Sequence, residues 1–356
     1  MFNILDFIEV PPFTLSYDKK RNIYLEALTH LHRVHYAGNS EYRRIVDVTG
    51  FAISNDTVIE NFPMLPVRLF KEFDLMSVDP SLIIKTMTSS GTSGQSVSKI
   101  FLDKSNAVNQ TKVLTKILSS FLGNKRLPML IVDTKAVLKN RNLYSARGAG
   151  IVGFSMLGHN LTYALNEDMS VDEDAFFGFL DKYGDGPVLI FGFTFMVWQH
   201  FLEGLKKHRR VDMKEGILIH GGGWKKLLDQ EVDNLTFKRR IHQGIGVNSV
   251  HNYYGMVEQT GSIFMECEKG YLHASIFSDV IVRSHQNFEV AKFREKGLIQ
   301  LISLLPTSYP GHSILTEDIG EIFGEDDCEC GRLGKYFLVH GRVKNAEIRG
   351  CSDTFS

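Results

Sequence analysis

Apolar and polar positions change rhythm several times along the chain, and each rhythm predicts an element. Ala107, Val113, Leu114, Ile117, Leu118 and Phe121 recur at close to helical spacing, and Gly123 supplies the C-terminal stop. Met129-Leu130-Ile131-Val132, ending at Asp133, is a short continuous apolar run that suits a buried strand. Val188–Phe191 and Ile217-Leu218-Ile219 read the same way, the first followed by a helix from Thr194 to about His208 and the second running into Gly221-Gly222-Gly223. Ser170-Val171-Asp172-Glu173 has the spacing of a capping box that opens a helix carrying Phe176, Phe177 and Leu180. Earlier, Leu82–Met87 and Ser98–Leu102 are two strand-like runs joined by a Ser/Thr/Gly loop.

Strands alternating with helices predict an α/β fold with layered sheets and helices. After Tyr253 the helical signal fades into short β-like pieces at 276–282, 298–303, 321–323 and 336–339. Residues 1–75 read as helical and irregular, broken by Pro11-Pro12 and by Pro63 and Pro66. The expected organisation is an N-terminal segment over 1–75, an α/β core over 76–260 and a β-rich subdomain over 261–356.

Composition narrows the function classes. There are 40 Lys+Arg against 41 Asp+Glu, so no basic excess marks a nucleic-acid binder. The longest apolar run, from Pro187 to Trp198, is about 12 residues, short of the ~20 a membrane span takes. No basic-then-apolar leader opens the chain, so a cytoplasmic location is expected. The 25 Phe suit a wide interior or an apolar ligand pocket; the runs Phe176, Phe177, Phe179 and Phe191, Phe193, Phe195 read first as core and second as the lining of an acyl tunnel.

Four cysteines, Cys267, Cys328, Cys330 and Cys351, fall in the last quarter of the chain, too few for a secreted disulfide framework. Cys328-Glu-Cys330-Gly-Arg, with Cys267 and His273 upstream, makes a Cys3His set that could hold a structural zinc; the alternative is reduced, unliganded side chains.

The candidate chemistry is concentrated in a few loops. Thr88-Ser89-Ser90-Gly91-Thr92-Ser93-Gly94-Gln95-Ser96 combines backbone freedom with hydroxyls and N–H groups that can wrap phosphate oxygens. It lacks the Walker spacing, and taken alone it also describes a polar hairpin turn. Tyr254-Gly255-Met256-Val257-Glu258 sets a carboxylate after an aromatic and a glycine; Leu315-Thr316-Glu317-Asp318 sets an acid at the end of an apolar segment; His340-Gly341-Arg342-Val343-Lys344 sets two cations on a turn. His220 and His251 read as packing or hydrogen-bonding residues.

In this order and spacing the loops resemble those of the adenylate-forming superfamily. Within it the chain is most similar to the acyl-protein synthetases of the bacterial bioluminescence fatty-acid reductase complex, and more distantly to phenylacetate–CoA ligases. Pro66-Val67-Arg68-Leu69-Phe70-Lys71, Ser145-Ala146-Arg147-Gly148-Ala149-Gly150, the Tyr-Tyr-Gly-Met-Val-Glu-Gln stretch and Ala346-Glu347-Ile348-Arg349-Gly350-Cys351 carry that likeness over roughly residues 60 to 356.

The resemblance implies ATP-dependent activation of a long-chain fatty acid as an acyl-adenylate, with transfer to a protein cysteine as a thioester. It implies that Ser89, Ser90, Gly91, Thr92, Ser93 and Gly94 hold phosphate, that Gly221, Gly222 and Gly223 border the adenine, that Tyr254 and Gly255 also contact the nucleotide, and that Asp318 and Arg342 bind the ribose. Glu258 would ligate Mg²⁺, Lys99 would be the phosphate-loop lysine, and Cys351 would be the acylated nucleophile. An acyl-reductase or another acyl-acceptor protein would be the partner.

The sequence departs from the superfamily pattern in three places. Val257 replaces a threonine, three residues separate Lys99 from the loop's Gln95, and the chain stops after the hinge motif, so no mobile C-terminal lid domain is expected. A phenylacetate-type CoA ligase and a non-catalytic acyl- or nucleotide-binding relative remain as alternatives.

Overall fold

The protein is described here by a computed structural model, which covers residues 2–89, 96–138, 146–208, 211–223 and 232–343. Two helices open the chain, α1 (Tyr17–Gly38) and α2 (Ser40–Thr49). Tyr24, Ala27, Leu28, Leu31, His32 and His35 line one face of α1 and are buried. Asn39 caps α2 by accepting from the Tyr42 backbone N–H, and Gly50, at φ +66°, ends it. The short strand β1 (Leu65–Pro66) leads into the single turn α3 (Leu69–Glu72).

A separate hairpin follows, β2 (Ile83–Thr88) with β3 (Lys99–Asp103). The Asp103 carboxylate then caps α4 (Lys104–Leu122) through the Asn106 N–H at 2.7 Å. Next come β4 (Leu127–Thr134), α5 (Ala146–Ser155), β5 (Gly158–Leu165), α6 (Glu173–Tyr183) and β6 (Leu189–Phe193). A π-helical stretch, Met196–Leu202, runs into α7 (Glu203–Leu205). After it lie β7 (Ile217–Gly221), α8 (Asn234–Ile245), β8 (Ser249–Tyr254), β9 (Phe264–Glu266), β10 (Leu272–His273), β11 (Ser278–Arg283), β12 (Lys296–Ser303), β13 (Ser313–Glu325) and β14 (Lys335–Arg342).

Among the described residues these strands, apart from the β2–β3 hairpin, form one twelve-stranded mixed sheet in the order β11-β12-β13-β14-β10-β9-β8-β7-β6-β4-β5, with β1 added alongside β13. The half from β5 to β8 is parallel. Its strands β4, β6 and β7 are the continuous apolar runs, as expected for strands covered on both faces. From β8 onward the path β8-β9-β10-β14-β13-β12-β11 is antiparallel. Within the parallel half β5 lies to one side of β4 and β6 to the other, so the strand order reverses between β4 and β6. Such a reversal opens a crevice at the carboxyl ends of the strands.

The fold class is therefore the mixed α/β one expected. Local differences have clear causes. The cap of α6 is Asp172, which accepts from the Ala175 N–H at 3.0 Å; Ser170 instead bonds Asp168 within the preceding turn. The helix expected from Thr194 is π-helical from Met196, with Thr194 itself turned to His220 and the Gly221 carbonyl. Phe176, Phe179, Phe191 and Phe193 are buried in the main core; Phe177 and Phe195 are partly buried against it.

The N-terminal helix is tied to the sheet through charge as well as apolar packing. Asp279 on β11 is buried between two ammonium groups, Lys335 Nζ at 3.1 Å and Lys20 Nζ, from α1, at 3.8 Å. Lys20 also donates to the Ser278 carbonyl at 2.9 Å. Burial acts to raise the Asp279 pKa, but the Lys20 and Lys335 charges overcome it and hold the carboxyl below its ordinary 3.8. A folded-state pKa below the unfolded one contributes stability above the unfolded value, and this is lost as pH falls through the folded one. Asp279→Asn removes the nearest counter-charge of two buried ammoniums, so it should cost about 3–5 kcal/mol in urea unfolding at neutral pH. The gap to wild type should narrow below about pH 4; equal stabilities at neutral pH would refute this account of the anchor.

Candidate functional site

The carboxyl end of β8 meets the middle of β13 and the end of β14 through Tyr254, Asp318 and Arg342, and Gly221 ends the neighbouring strand β7. Gly221 ends β7, and a Cβ there would stand 2.4 Å from the Tyr253 ring, so only glycine lets that ring lie flat on the strand end. Gly222, at φ +79°, turns the chain over Phe193, and Gly223 faces open space. Behind them Thr194 Oγ1 donates to the Gly221 carbonyl at 3.2 Å and lies 3.0 Å from His220 Nδ1. Burial pushes the His220 pKa down to about 3, so the ring is a neutral packing and hydrogen-bonding group near pH 7. His251 accepts the same reading: it is buried, its pKa is lowered by burial, and its Nδ1 lies 2.8 Å from the Glu266 carbonyl.

Tyr254, at the end of β8, donates its hydroxyl to Asp318 Oδ2 at 2.6 Å. Arg342 Nε donates to Asp318 Oδ1 at 3.3 Å from the directly opposed position on β14. The Asp318 backbone N–H is taken by Thr316 Oγ1 at 3.1 Å. Burial and then the Asp318 charge raise the Tyr254 pKa well above 10, so the phenol stays a donor at physiological pH. Three residues separated by up to 88 positions in sequence thus make one hydrogen-bonded set, with Arg342 still 40% exposed and able to reach a ligand. Gly255 follows Tyr254 and has no room for a side chain, its Cβ position lying 2.9 Å from Ile263.

Glu258 sits in a 3-10 turn, Val257–Gln259, and is buried. Burial raises its pKa; the Ser98 hydroxyl, Lys71 and Arg342 pull the other way. Lys71 is the residue whose role the sequence left unread. Its position follows from packing: β1 pairs in parallel with β13, Val67 N–H donates to the Leu315 carbonyl at 2.9 Å, and Phe70 packs edge-on to Tyr309 with centroids 6.2 Å apart. Tyr309 in turn donates to the Glu258 carbonyl at 3.0 Å. The Pro66–Lys71 stretch is thereby fixed between the strand carrying Asp318 and the turn carrying Glu258.

The mouth of the Ser/Thr/Gly loop is closed by two bonds, Ser89 N–H to the Ser98 carbonyl at 3.0 Å and Ser98 N–H to Ser89 Oγ at 2.9 Å. Ser90, Gly91, Thr92, Ser93 and Gly94 lie outside the described residues, as does Cys351. Lys99, at the start of β3, pairs with Asp74 at 3.0 Å, both about half exposed. At the strand reversal Arg147 and Asp133 form a buried ion pair, with Arg147 Nε 3.0 Å from Asp133 Oδ2.

At the other end of β14, beside its first residues, Cys267, His273, Cys328 and Cys330 converge. Their ligand atoms all lie within 4.8 Å of one another, and Cys330 Sγ is 3.4 Å from His273 Nε2. This cluster could hold a metal ion. Among the described residues no helix is long and apolar enough to cross a membrane.

The architecture places the chain among the adenylate-forming ligase folds. It superposes on 2-hydroxyisobutyryl-CoA ligase, solved in complex with 2-HIB-AMP and CoA, with a TM-score of 0.73, covering 94% of this chain and 72% of that one at 15% identity. Apo MatB from Rhodopseudomonas palustris aligns with a TM-score of 0.50 over 76% of this chain and 50% of that one, at 14% identity. The chain belongs to the acyl-protein synthetase (LuxE) family, whose profile it matches over residues 3–356. Two relatives are long-chain-fatty-acid–luciferin-component ligases. That of Vibrio harveyi is 22% identical over 340 residues, covering 91% of this chain and 85% of its own. That of Aliivibrio fischeri is 22% identical over 324 residues, covering 87% and 82%.

Proposed function

We propose that this protein is an ATP-dependent fatty acid–protein ligase that makes an acyl-adenylate and passes the acyl group to a protein thiol. The observation that carries the reading is the Tyr254–Asp318–Arg342 set beside the buried Glu258, in a chain of the acyl-protein synthetase family. Asp318 has accepting oxygens for two ribose hydroxyls, and the Tyr254 hydroxyl and Arg342 Nε hold that carboxylate in place. Ser89 and Ser98 brace the loop that would receive the phosphates, and the open space beside Gly223 leaves room for a flat base.

Glu258 offers the carboxylate oxygens that Mg²⁺ prefers, so it is the residue that would hold the ion; the ion would spread the charge of the phosphates. Lys71 adds a cation on the same side. In the first step an oxygen of the fatty-acid carboxylate attacks the α-phosphorus of ATP. The new C(O)O–P bond replaces the bond to pyrophosphate, which leaves. The protein groups position reactants and neutralise charge. In the second step a thiolate sulfur attacks the acyl carbonyl, the C–S bond forms, the bond to phosphate oxygen breaks, and AMP leaves. Cys351 is the thiol the family resemblance indicates, and a protein that reduces or accepts acyl groups is the partner.

The test is carboxylate-dependent ATP–pyrophosphate exchange, followed by product analysis with and without CoA. Exchange driven by long-chain fatty acids, with acyl label on protein in the absence of CoA, is the expected result. Acyl-CoA as the main product would replace this reading with a CoA ligase, and no exchange with any carboxylate would replace it with a binding role.

A further inference from the structure

Two turns on the C-terminal half of the sheet have the same sequence plan, Cys267-Glu268-Lys269-Gly270 and Cys328-Glu329-Cys330-Gly331. Each closes with the glycine N–H donating to the cysteine carbonyl, at 3.0 and 2.9 Å. Each glycine has positive φ, +86° and +80°, a conformation that admits almost no other residue. The turns face one another. Lys269 of the first reaches Glu329 of the second at 2.7 Å, and Arg332, just past the second, grips Glu268 of the first with two bonds of 2.6 and 3.1 Å. Exposed ion pairs of this kind contribute little stability, so they do not explain why three thiols are gathered beneath them.

We infer that the two turns are the halves of one structural zinc site, with Cys267, Cys328, Cys330 and His273 as its four ligands. A tetrahedral zinc with Zn–S of about 2.3 Å and Zn–N of about 2.0 Å sets its ligand atoms about 3.5–3.8 Å apart. The Cys330 Sγ to His273 Nε2 separation of 3.4 Å already fits, and the 4.8 Å limit on the whole set leaves about an ångström of contraction. Backbone turns that end in a positive-φ glycine bring sulfur atoms to one side of the chain, as a soft metal requires.

The imidazole gives a second, independent argument. His273 is fully buried, its Nε2 looks at a sulfur, and its Nδ1 has no hydrogen-bond partner among the described residues. An imidazole buried with so little polar compensation is costly unless Nε2 binds something stronger than a thiol. The carboxylates Glu268 and Glu329 are both turned outward onto cations, so the donors left facing inward are three sulfurs and one nitrogen, the set that selects zinc over magnesium or calcium.

The four ligands fill the tetrahedron and leave no position for a substrate, so the metal acts on the fold. Cys267 follows β9, His273 lies on β10, and Cys328 and Cys330 sit in the connection from β13 to β14. His273 is also packed from two sides, stacked on Tyr336 of β14 at 5.8 Å and met edge-on by Phe13 at 6.2 Å, while the Leu333 N–H donates to the Phe13 carbonyl at 3.0 Å. The site would thus clasp two hairpins and the N-terminal segment together, and it would fix the near end of the strand whose far end carries Arg342.

Metal analysis of the full chain, purified under reducing conditions without added metal or chelator, should find about one zinc per chain. Titration with a mercurial should release it to a colorimetric zinc indicator as the thiols react. Stripping should lower the melting temperature by several degrees, restored by zinc and not by magnesium. Cys330→Ser, at the half-buried position, should lose most of the zinc while remaining folded, and Cys351→Ser should keep it. A folded protein with less than about a tenth of an equivalent of zinc, iron in its place, or Cys330→Ser with a full complement would overturn the assignment. None of these readouts involves ATP or a fatty acid, so their failure would leave the proposed ligase activity standing, and the reverse.

Discussion

Glu258→Gln should lower carboxylate-dependent ATP–pyrophosphate exchange by ~10²–10³, the usual loss when one electrostatic contact to developing charge is removed. The substitution is close to isosteric, and burial already raises the Glu258 pKa, so the neutral amide is no harder to bury than the acid. A melting temperature at or above wild type is therefore expected alongside the lost exchange, which separates chemistry from folding. The pH profile gives a second reading. A carboxyl whose pKa is raised must lose its proton before it can hold Mg²⁺, so at low Mg²⁺ exchange should climb with pH through that pKa. Raising Mg²⁺ should move the climb to lower pH, because the ion competes with the proton. In the variant the climb should disappear. Exchange at the wild-type rate in Glu258→Gln would remove Glu258 from the nucleotide site.

The parts of the fold legible in the sequence were those where one signal dominates. β4, β6 and β7 are buried on both faces, so they appear as unbroken apolar runs. α4 shows a helical period because one face packs on the main core. Where the signals compete, the sequence is mute. β5 is an edge strand with only three of its eight residues buried, and Asn160-Leu-Thr-Tyr163 has no clean alternation. α8 buries only Phe237, Ile241 and Ile245 among basic and polar neighbours, too few to declare a helix by pattern alone. The fading helical signal after Tyr253 does mark the change from parallel to antiparallel pairing, which the structure places between β8 and β9.

The site divides the same way. Tyr254, Asp318 and Arg342 were recognisable as motifs, but only the β13–β14 register, Asp318 opposite Arg342, makes them one hydrogen-bonded unit. Lys71 was quoted for its likeness alone. Its charge bears on Glu258 because β1 joins β13 across some 250 residues of chain, a contact no local pattern announces. Asp172 and Ser170 compete for the same cap within three residues, and the nearer carboxylate wins because it reaches the Ala175 N–H while Ser170 is occupied by Asp168.

Cys351→Ser should abolish acyl labelling of the protein while leaving adenylation intact. Cys351 lies outside the described residues, so its role rests on sequence and on chemistry. It stands in Ile348-Arg349-Gly350-Cys351-Ser352-Asp353, with a guanidinium two residues away that can favour the thiolate and a glycine between them that frees the backbone. The three other cysteines are drawn into the His273 cluster, where Cys267 and Cys328 are buried and poorly placed to meet a mixed anhydride. Cys351 is the remaining thiol of the four in the sequence. A thioester formed there stores the activation of the adenylate, because a thiolate is a good leaving group for the next acceptor. Incubated with ATP, Mg²⁺ and radiolabelled long-chain fatty acid, wild type should retain label that hydroxylamine removes at neutral pH. Cys351→Ser should retain none, or only a slowly formed, hydroxylamine-resistant oxygen ester, while its exchange stays within about twofold of wild type, since the thiol enters only after pyrophosphate has left. Combined with Glu258→Gln the two defects should separate by step: the first variant accumulates acyl-AMP, the second makes neither acyl-AMP nor thioester. Hydroxylamine-labile label at wild-type levels on Cys351→Ser would place the acyl acceptor elsewhere.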